Sequence, residues 1–467
     1  MSVVADIPPR TRRNVELVLL VLAIGIVLVA YLNVGLAVSG TVPPDLVTYG
    51  AGLLVLSGGL HLVLRWRASY ADPLLLPIAT LLNGLGLVMI HRLDLAHHRP
   101  LATQMALRQL IWSALGIVIA GVVVVWLRDH RQLRRLTFTA MAVGLGLLLL
   151  PLVPVLGRNV NGSRIWIAVG PLSFQPGEVA KIALAVFFAG YLVQTRDVLS
   201  LVGRRFLGIA LPRGRDLGPI VVAWLASLGV LIFERDLGSS LLFFGLFVAM
   251  LYVATERRSW VVIGLVLFCA GAYTAYLLFG HVQSRVLLWL HPFSPRALGV
   301  SDQLVKGLMG MGSGGLVGTG LGSGHPELTY FAESDFIVPS FAEELGLVGV
   351  FALLLLYVLM VERGLRTALG VRDGFGKLLA VGLSFSMALQ CFVVVGGVTR
   401  VIPLTGLTMP FLSAGGSSLL ANWSLVAILL RISDQARRPV SEAPSGDTAP
   451  GDTAPGATVP DELVTAR

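Results

Sequence analysis

Hydrophobic residues along this chain follow neither the alternation of a half-buried strand nor the narrow stripe of an amphipathic helix. They run on for about 20 residues at a time and then stop at short clusters of arginine. A helix of that length rises about 30 Å, the thickness of the hydrocarbon core of a bilayer. Such runs fall at residues 15–37, 46–64, 73–90, 107–127, 136–155, 177–194, 219–233, 237–255, 259–279, 338–361, 378–398 and 408–430. The pattern predicts an all-α polytopic membrane protein with about 12 transmembrane helices. The run at 219–233 is short, and only Glu234, Arg235 and Asp236 separate it from the next. The first run follows Arg10, Arg12 and Arg13. It exceeds the roughly 7–15-residue core of a cleaved signal peptide, so it reads as a retained span.

Charge then sets orientation. Tight basic clusters mark alternate connections: Arg65 and Arg67; Arg128, Arg131, Arg134 and Arg135; Arg204, Arg205, Arg213 and Arg215; Arg257 and Arg258; Arg363, Arg366, Arg372 and Lys377; Arg431, Arg437 and Arg438. Positive residues collect on the cytoplasmic side, which predicts that both termini are cytoplasmic. Composition agrees with a membrane protein. Only 13% of the 467 residues are charged, 55% are hydrophobic, and mean hydropathy is +0.82, too few charges to cover a water-soluble surface. The net charge of +9 therefore reflects orientation, and no nucleic-acid partner is expected. The two cysteines, Cys269 and Cys391, lie in apolar runs, which excludes a disulfide framework and a cysteine-based zinc site. None of the spans carries a histidine pair four residues apart, so no histidine metal site is expected either.

Two segments fall outside the pattern. Residues 433–467, with GDTAP repeated at 446–450 and 451–455, read as a disordered cytoplasmic tail. The long outer segment at 280–337 is too apolar for disorder and reads as lying partly in the membrane interface.

Candidate chemistry gathers at the outer face. Glu178 and Lys181 are three residues apart, on one face of a helix near its outer end. Such a pair is costly in a membrane unless it faces protein or a water-filled cavity, and it reads equally as a structural ion pair. Half of residues 307–324 are glycine, and Gly310, Gly312 and Gly315 even match G-x-G-x-x-G. Without a βαβ unit around it that match means nothing, and the glycines more simply let backbone pass close to helices or substrate. Glu327, Glu333 and Asp335 follow at once, with Glu343 and Glu344 further into the next span. A carboxylate in a half-apolar surface loop is a general-base candidate, although acids near a helix N-terminus are also favoured by its dipole. Arg164, Arg235, Arg285, Lys306 and Arg400 share this face, a set of cations that suits a phosphate-bearing substrate, or simply snorkels to the interface.

Five segments together carry a resemblance: GSRIWIAVGPLSFQPGEVAKI, ERDLGSSLL, GSGGLVGTGLGSG, ESDFIVPSFAEELGL and IPLTGLTMPFLSAGGSSLL. They resemble, in order and over roughly three-quarters of the chain, the signature segments of the SEDS family of shape, elongation, division and sporulation proteins, typified by RodA and FtsW. The wording RVIPLTGL and GHPEL is similar to the actinobacterial RodA branch. The resemblance implies a ten-helix glycosyltransferase core, 73–432, preceded by two extra transmembrane helices in 1–72. It implies a peptidoglycan glycosyltransferase of the bacterial plasma membrane that polymerises lipid II, with a class B penicillin-binding protein as partner and membrane lipid around it. The family's essential aspartate falls on Asp335. Its other motif positions fall on Glu327, Trp166, Gln175 and Lys181, and the same segments carry Arg164, Glu178 and Arg235 as substrate-binding candidates. No cofactor is certain, and a divalent cation, magnesium or manganese, could assist. The chain departs from many members at Ser173, Val394 and Arg235, which puts local contacts in question and not the reaction. Competing readings are a lipid II flippase, a division-type FtsW role, and a scaffold for the wall machinery. A flippase of the inverted-repeat kind should show internal symmetry, and no likeness joins 15–194 to 219–430.

Overall fold

The structure is a computed structural model that describes residues 11–100, 103–154, 156–160, 163–169, 172–199, 205–206, 209–210, 218–234, 236–295 and 301–439. Arg10, Arg235 and the GDTAP repeats lie outside the described residues. The first half holds α1 (Arg13–Ser39), α2 (Leu46–Arg67), α3 (Leu75–Ala96), α4 (Met105–Trp126), the single turn α5 (Gln132–Arg135), α6 (Thr137–Leu149), α7 (Pro176–Leu199) and α8 (Gly218–Phe233). The second half holds α9 (Leu237–Thr255), α10 (Arg258–Leu278), α11 (Gly280–Leu290), α12 (Asp302–Gly314), α13 (Ile337–Gly370), α14 (Gly374–Val398) and α15 (Gly416–Arg437). A three-stranded antiparallel sheet, β1 (Gly157–Val160), β2 (Ser163–Val169) and β3 (Leu172–Phe174), precedes α7, and a two-stranded ribbon, β4 (Arg205–Phe206) and β5 (Ile209–Ala210), follows it.

Every apolar run predicted above carries a helix, and the chain is a multi-pass, mostly helical membrane protein. Among the described residues ten helices are long and apolar enough to cross a bilayer; the runs at 136–155 and 219–233 form the shorter helices α6 and α8. Burial separates an inner ring from an outer one. In the most apolar stretches of α3, α15, α14 and α7, 89%, 83%, 72% and 61% of residues are buried, against 17% in α10 and 28% in α2 and α13. A helix hydrophobic all round can occupy either ring, and polar side chains decide which. The inner four carry Asn83, Lys181, Gln390 and Asn422, which in lipid would have no partners.

The last run differs from expectation. Residues 408–415 are not helical; α15 starts at Gly416 and continues past the expected boundary at 432 to Arg437, with Ser433 and Asp434 buried. Pro410 and the left-handed Phe411 (φ 66°) interrupt the helix. The freed backbone groups are satisfied elsewhere. Gly415 N donates to Gln109 Oε1 at 3.1 Å, Ser413 O accepts from Gln109 Nε2 at 2.9 Å, and Ala414 N donates to Glu333 O at 2.7 Å. Gly86 of α3 permits this, since a Cβ there would lie 2.4 Å from Leu412 O. The outer segment at 280–337 is also more ordered than a bare loop, because it contains α11 and α12.

The N-terminal hairpin packs α1 along α3 and α2 along α4. A buried triad closes one end of the hairpin: Arg13 Nη1 lies 2.6 Å from Glu16 Oε2, and His61 Nδ1 lies 2.7 Å from Glu16 Oε1. Arg13 also donates to Ala71 O, which ties the hairpin to the start of α3.

Candidate active site

Asp335 stands on the turn before α13, half-buried, and its backbone is held from both sides. Ser334 O accepts from Ser413 Oγ at 2.7 Å, and Phe336 N donates to Phe331 O at 3.1 Å while its ring is fully buried. Phe331 (φ 57°), Arg400 (φ 63°) and Phe411 (φ 66°) all adopt the left-handed region in the loops around it. A bulky residue pays for that conformation only where the surroundings enforce it, as they do at functional sites. Gly406, also left-handed at φ 80°, suits glycine by its backbone and lies against the carboxylate: a Cβ there would sit in ordinary contact, 3.7 Å from Asp335 Oδ2.

The electrostatics are lopsided. Burial pushes the Asp335 carboxyl up to about 7; the Arg285 guanidinium opposes this, while Asp236 and Glu333 add to it. Asp236 itself is raised by burial, against the hydrogen bonds it receives from Gly238 N (2.9 Å) and Ser239 Oγ (2.5 Å) as the N-cap of α9. Glu234 is pushed up to about 8 by burial and by Asp236. Arg285 on α11 donates to Leu404 O at 2.6 Å, and Trp289 Nε1 donates to Arg400 O at 2.9 Å, so α11 is bound to the loop that covers the site. An apolar cavity of about 410 Å³ opens beside Arg285, walled by α9, α10, α11 and residues 401–405. An acid with a near-neutral pKa, one cation and an apolar pocket together suit proton abstraction next to a charged, lipid-like group.

Below this site lies a second polar set inside the inner ring. Lys181 Nζ donates to Glu178 Oε2 (2.7 Å), Gln390 Oε1 (2.7 Å) and Asn422 Oδ1 (3.3 Å), which uses all three of its donors. Gln390 Nε2 donates to Thr408 O at 2.9 Å, and Gln175 N to Ser417 Oγ at 3.2 Å, so the set joins α7, α14, α15 and the non-helical segment. Gln175, Glu178, Lys181, Ser239 and Gln390 line one small cavity, and Ser239 carries the link to Asp236.

The remaining sequence candidates are spread around this frame. Arg164 has an exposed side chain, but its N–H donates to Glu234 O at 3.0 Å, which docks the sheet on the turn that holds Asp236. Trp166 is half-buried on β2 opposite Arg158. Glu327 pairs with Arg92 Nη1 at 3.1 Å and with His325 at 3.1 Å; it is not among the charges that act on Asp335. Lys306 pairs with Asp302 at 2.8 Å on the surface. Among the described residues no three His, Cys, Asp or Glu side chains form a metal-holding group. A divalent cation here would rest on one or two carboxylates and on substrate phosphates.

Three further side chains matter: Asp236 and Arg92, which the sequence left unassigned, and Arg285, which it offered only as one of five outer-face cations. Asp236 and Arg285 set the charge around Asp335. Arg92, buried in α3, donates to Glu344 Oε1 (2.8 Å) and Gly324 O (2.5 Å), which pins the glycine-rich loop onto α13. Gly322 N (2.9 Å to Glu344 Oε2) and His325 N (2.7 Å to Glu343 Oε1) complete the latch. A lone arginine in an apolar run is itself a signal of a buried partner, and that signal was present.

A sequence model of the Cell cycle protein family of FtsW, RodA and SpoVE matches residues 73–438. The chain belongs to this family. It is 50% identical to the peptidoglycan glycosyltransferase RodA of Mycobacterium tuberculosis over 94% of this chain and 95% of that protein. It is 33% identical to the stage V sporulation protein E of Bacillus subtilis over 78% of this chain and 98% of that one. Among solved structures, it resembles a chain described under structural coordination of polymerization and crosslinking by a peptidoglycan synthase complex (TM-score 0.63, 28% identity, 78% of this chain and 98% of that chain). It also resembles the Thermus thermophilus rod shape determining protein RodA (TM-score 0.55, 26% identity, 79% and 98%). As a family member the chain shares the helical fold of these neighbours; the ESDF and IPLTGL segments meet at Asp335, while the glycine-rich segment packs further along α13 at Glu343 and Glu344.

Proposed function

We propose that this protein is a peptidoglycan glycosyltransferase that polymerises lipid II at the outer face of the bacterial plasma membrane, in elongation and shape maintenance. The observation that carries the reading is a half-buried Asp335 held near neutral pKa beside Arg285 and an apolar cavity. Asp335 takes the proton from the acceptor sugar hydroxyl as that oxygen attacks the anomeric carbon of the other glycan, with inversion. The carbon–oxygen bond to the lipid diphosphate breaks, and the diphosphate leaves with the electron pair. A good leaving group needs no acid, so one carboxylate suffices where an inverting glycosidase needs two. Arg285 faces the charge that develops on the diphosphate, and the 410 Å³ cavity beside it suits the start of the isoprenoid chain. Lys181, its donors spent internally, and Glu178 and Gln175 hold the floor of the site. Arg164, Trp166 and Arg235, on the sheet and the adjoining turn, are proposed to border the glycan path. A magnesium or manganese ion bound with the diphosphate would supply further charge neutralisation.

Twelve spans with both termini cytoplasmic fit this arrangement, because they place Asp335 and Arg285 outside. Residues 73–437, to the end of α15, then form the catalytic core, 1–72 an N-terminal addition and the residues after α15 a cytoplasmic tail. The family likeness and the complex among its structural neighbours support a class B penicillin-binding protein as partner. The test uses the purified full chain with that partner, labelled lipid II and divalent cations, read as glycan polymer on a gel beside Asp335→Ala. Polymer from the wild type alone is expected. Polymer from both would overturn Asp335 as the base. Polymer from neither, with the partner bound, would overturn the polymerase reading in favour of lipid translocation.

A further inference from the structure

On the far side of the molecule from α9–α11, helices α2 and α4 leave a groove of about 680 Å³ between them, within the size range of ligand sites. Its walls are valine, leucine and isoleucine, and it is open because two positions in it are glycine. A Cβ on Gly59 would meet nothing within 4 Å, and one on Gly121 only Leu60 Cδ1 at 3.9 Å. One end of the groove is not apolar. Arg67, Arg128 and the exposed Trp126 line it there, at the C-terminal ends of both helices.

Neither arginine has a carboxylate partner among the described residues. Arg67 lies over the Trp66 ring at 5.1 Å and donates weakly to Val125 O at 3.3 Å; of the acids nearest in sequence, Asp72 is taken up by Arg363 and Arg437, and Asp129 is turned to Arg131 N and His130. Yet the backbone that carries both is fixed. The buried Arg431 of α15 donates to Leu127 O (2.6 Å), to Arg67 O (2.7 Å) and to Arg128 O. A third helix thus clamps the ends of α2 and α4, and two guanidinium groups without a carboxylate partner among the described residues stand at the mouth of an apolar groove. Two cations above a hydrophobic slot are complementary to a phosphate joined to acyl chains.

We propose that this groove binds an anionic glycerophospholipid, with acyl chain along the α2–α4 wall and phosphate between Arg67 and Arg128. That the lipid comes from the inner leaflet rests on the proposed orientation; binding itself does not. The site lies on the N-terminal hairpin and needs no part of the Asp335 machinery, so its test is independent of polymerisation.

The test is native mass spectrometry of the purified full chain with added dioleoyl-phosphatidylglycerol or dioleoyl-phosphatidylcholine. The anionic lipid should be retained and the zwitterionic one lost. Arg67→Gln combined with Arg128→Gln should weaken retention on the order of tenfold, as expected for two basic residues at a membrane surface. Gly59→Leu combined with Gly121→Leu keeps both charges and fills the slot; it should also weaken retention while thermal unfolding is unchanged. Equal binding of the two lipids, or anionic binding that survives both double variants, overturns the proposal. A dimer dissolved by the glycine variants would overturn it too, by showing that a second copy occupies the groove.

Discussion

Two buried acids at opposite ends of the molecule make an instructive pair. Asp72, before α3, accepts from Arg363 Nε at 2.8 Å, from Arg437 and from Leu74 N at 2.9 Å, and so has more positive neighbours than it has charge. Asp335 has the opposite balance, with Arg285 set against Asp236 and Glu333 among the described residues. The same side chain is a rivet in one place and, in the function proposed above, a proton acceptor in the other. The difference lies in what surrounds the carboxylate: burial raises the Asp335 pKa against the opposing Arg285, whereas the Asp72 oxygens are taken up by Arg363, Arg437 and Leu74 N.

The sharpest way to break this comparison is to remove each acid. Asp335→Ala should abolish glycan polymer while thermal unfolding of the purified protein stays near the wild type. Asp72→Ala should do the reverse in kind. It leaves two arginines without their partner and should cost about 3 kcal/mol, read as lowered thermal stability in detergent. If Asp335→Ala were the destabilised variant, the distinction between rivet and base would fail.

The Lys181–Glu178 pair tests the middle ground. Lys181→Met alone strands a buried carboxylate, and Glu178→Met alone strands an ammonium, so each should lower stability by about 2 kcal/mol or more. The double variant should recover much of that loss, because two well-packed apolar side chains replace the pair. A double variant no better than the singles would mean that the pair does more than satisfy itself.

The pH dependence gives a finer measure. With its carboxyl raised to about 7, Asp335 is protonated below that pH and cannot accept a proton. The polymerisation rate should therefore fall as pH drops through 7 and level off above it. Removing a neighbouring negative charge with Asp236→Asn should move that limb to lower pH, and Arg285→Gln should move it higher, each by about one pH unit. Shifts in the same direction would refute the assigned charge balance. The smallest effect is expected at Lys306→Ala, whose pair with Asp302 is exposed at the surface; neither activity nor unfolding should change measurably.

Much of the architecture was already legible in the chain. Runs of about 20 apolar residues admit only helices in a bilayer, since no other backbone satisfies its own polar groups there, and each expected run carries one. Asp335 could be singled out as a candidate from the ESDF segment and its position before a span, and its role as base is the proposal made above. The boundary of α15 was legible only in part: Pro410 and Gly415 are helix breakers, but they run directly into the span that follows. The departure of residues 408–415 from the helix depends on Gln109, Glu333 and Ser334, which are distant in sequence.

That the protein is helical, lies in a membrane and belongs to this family follows from hydropathy and motif order, which are properties of the linear chain. Which charges meet follows from the packing of the helices. Lys181 turns inward to Gln390 and Asn422, Glu327 goes to Arg92, and Arg285 and Asp236 come to Asp335. Those choices depend on distances between helices far apart in the chain. A carboxylate's pKa is set by what lies within a few ångströms, which no reading of its own segment contains.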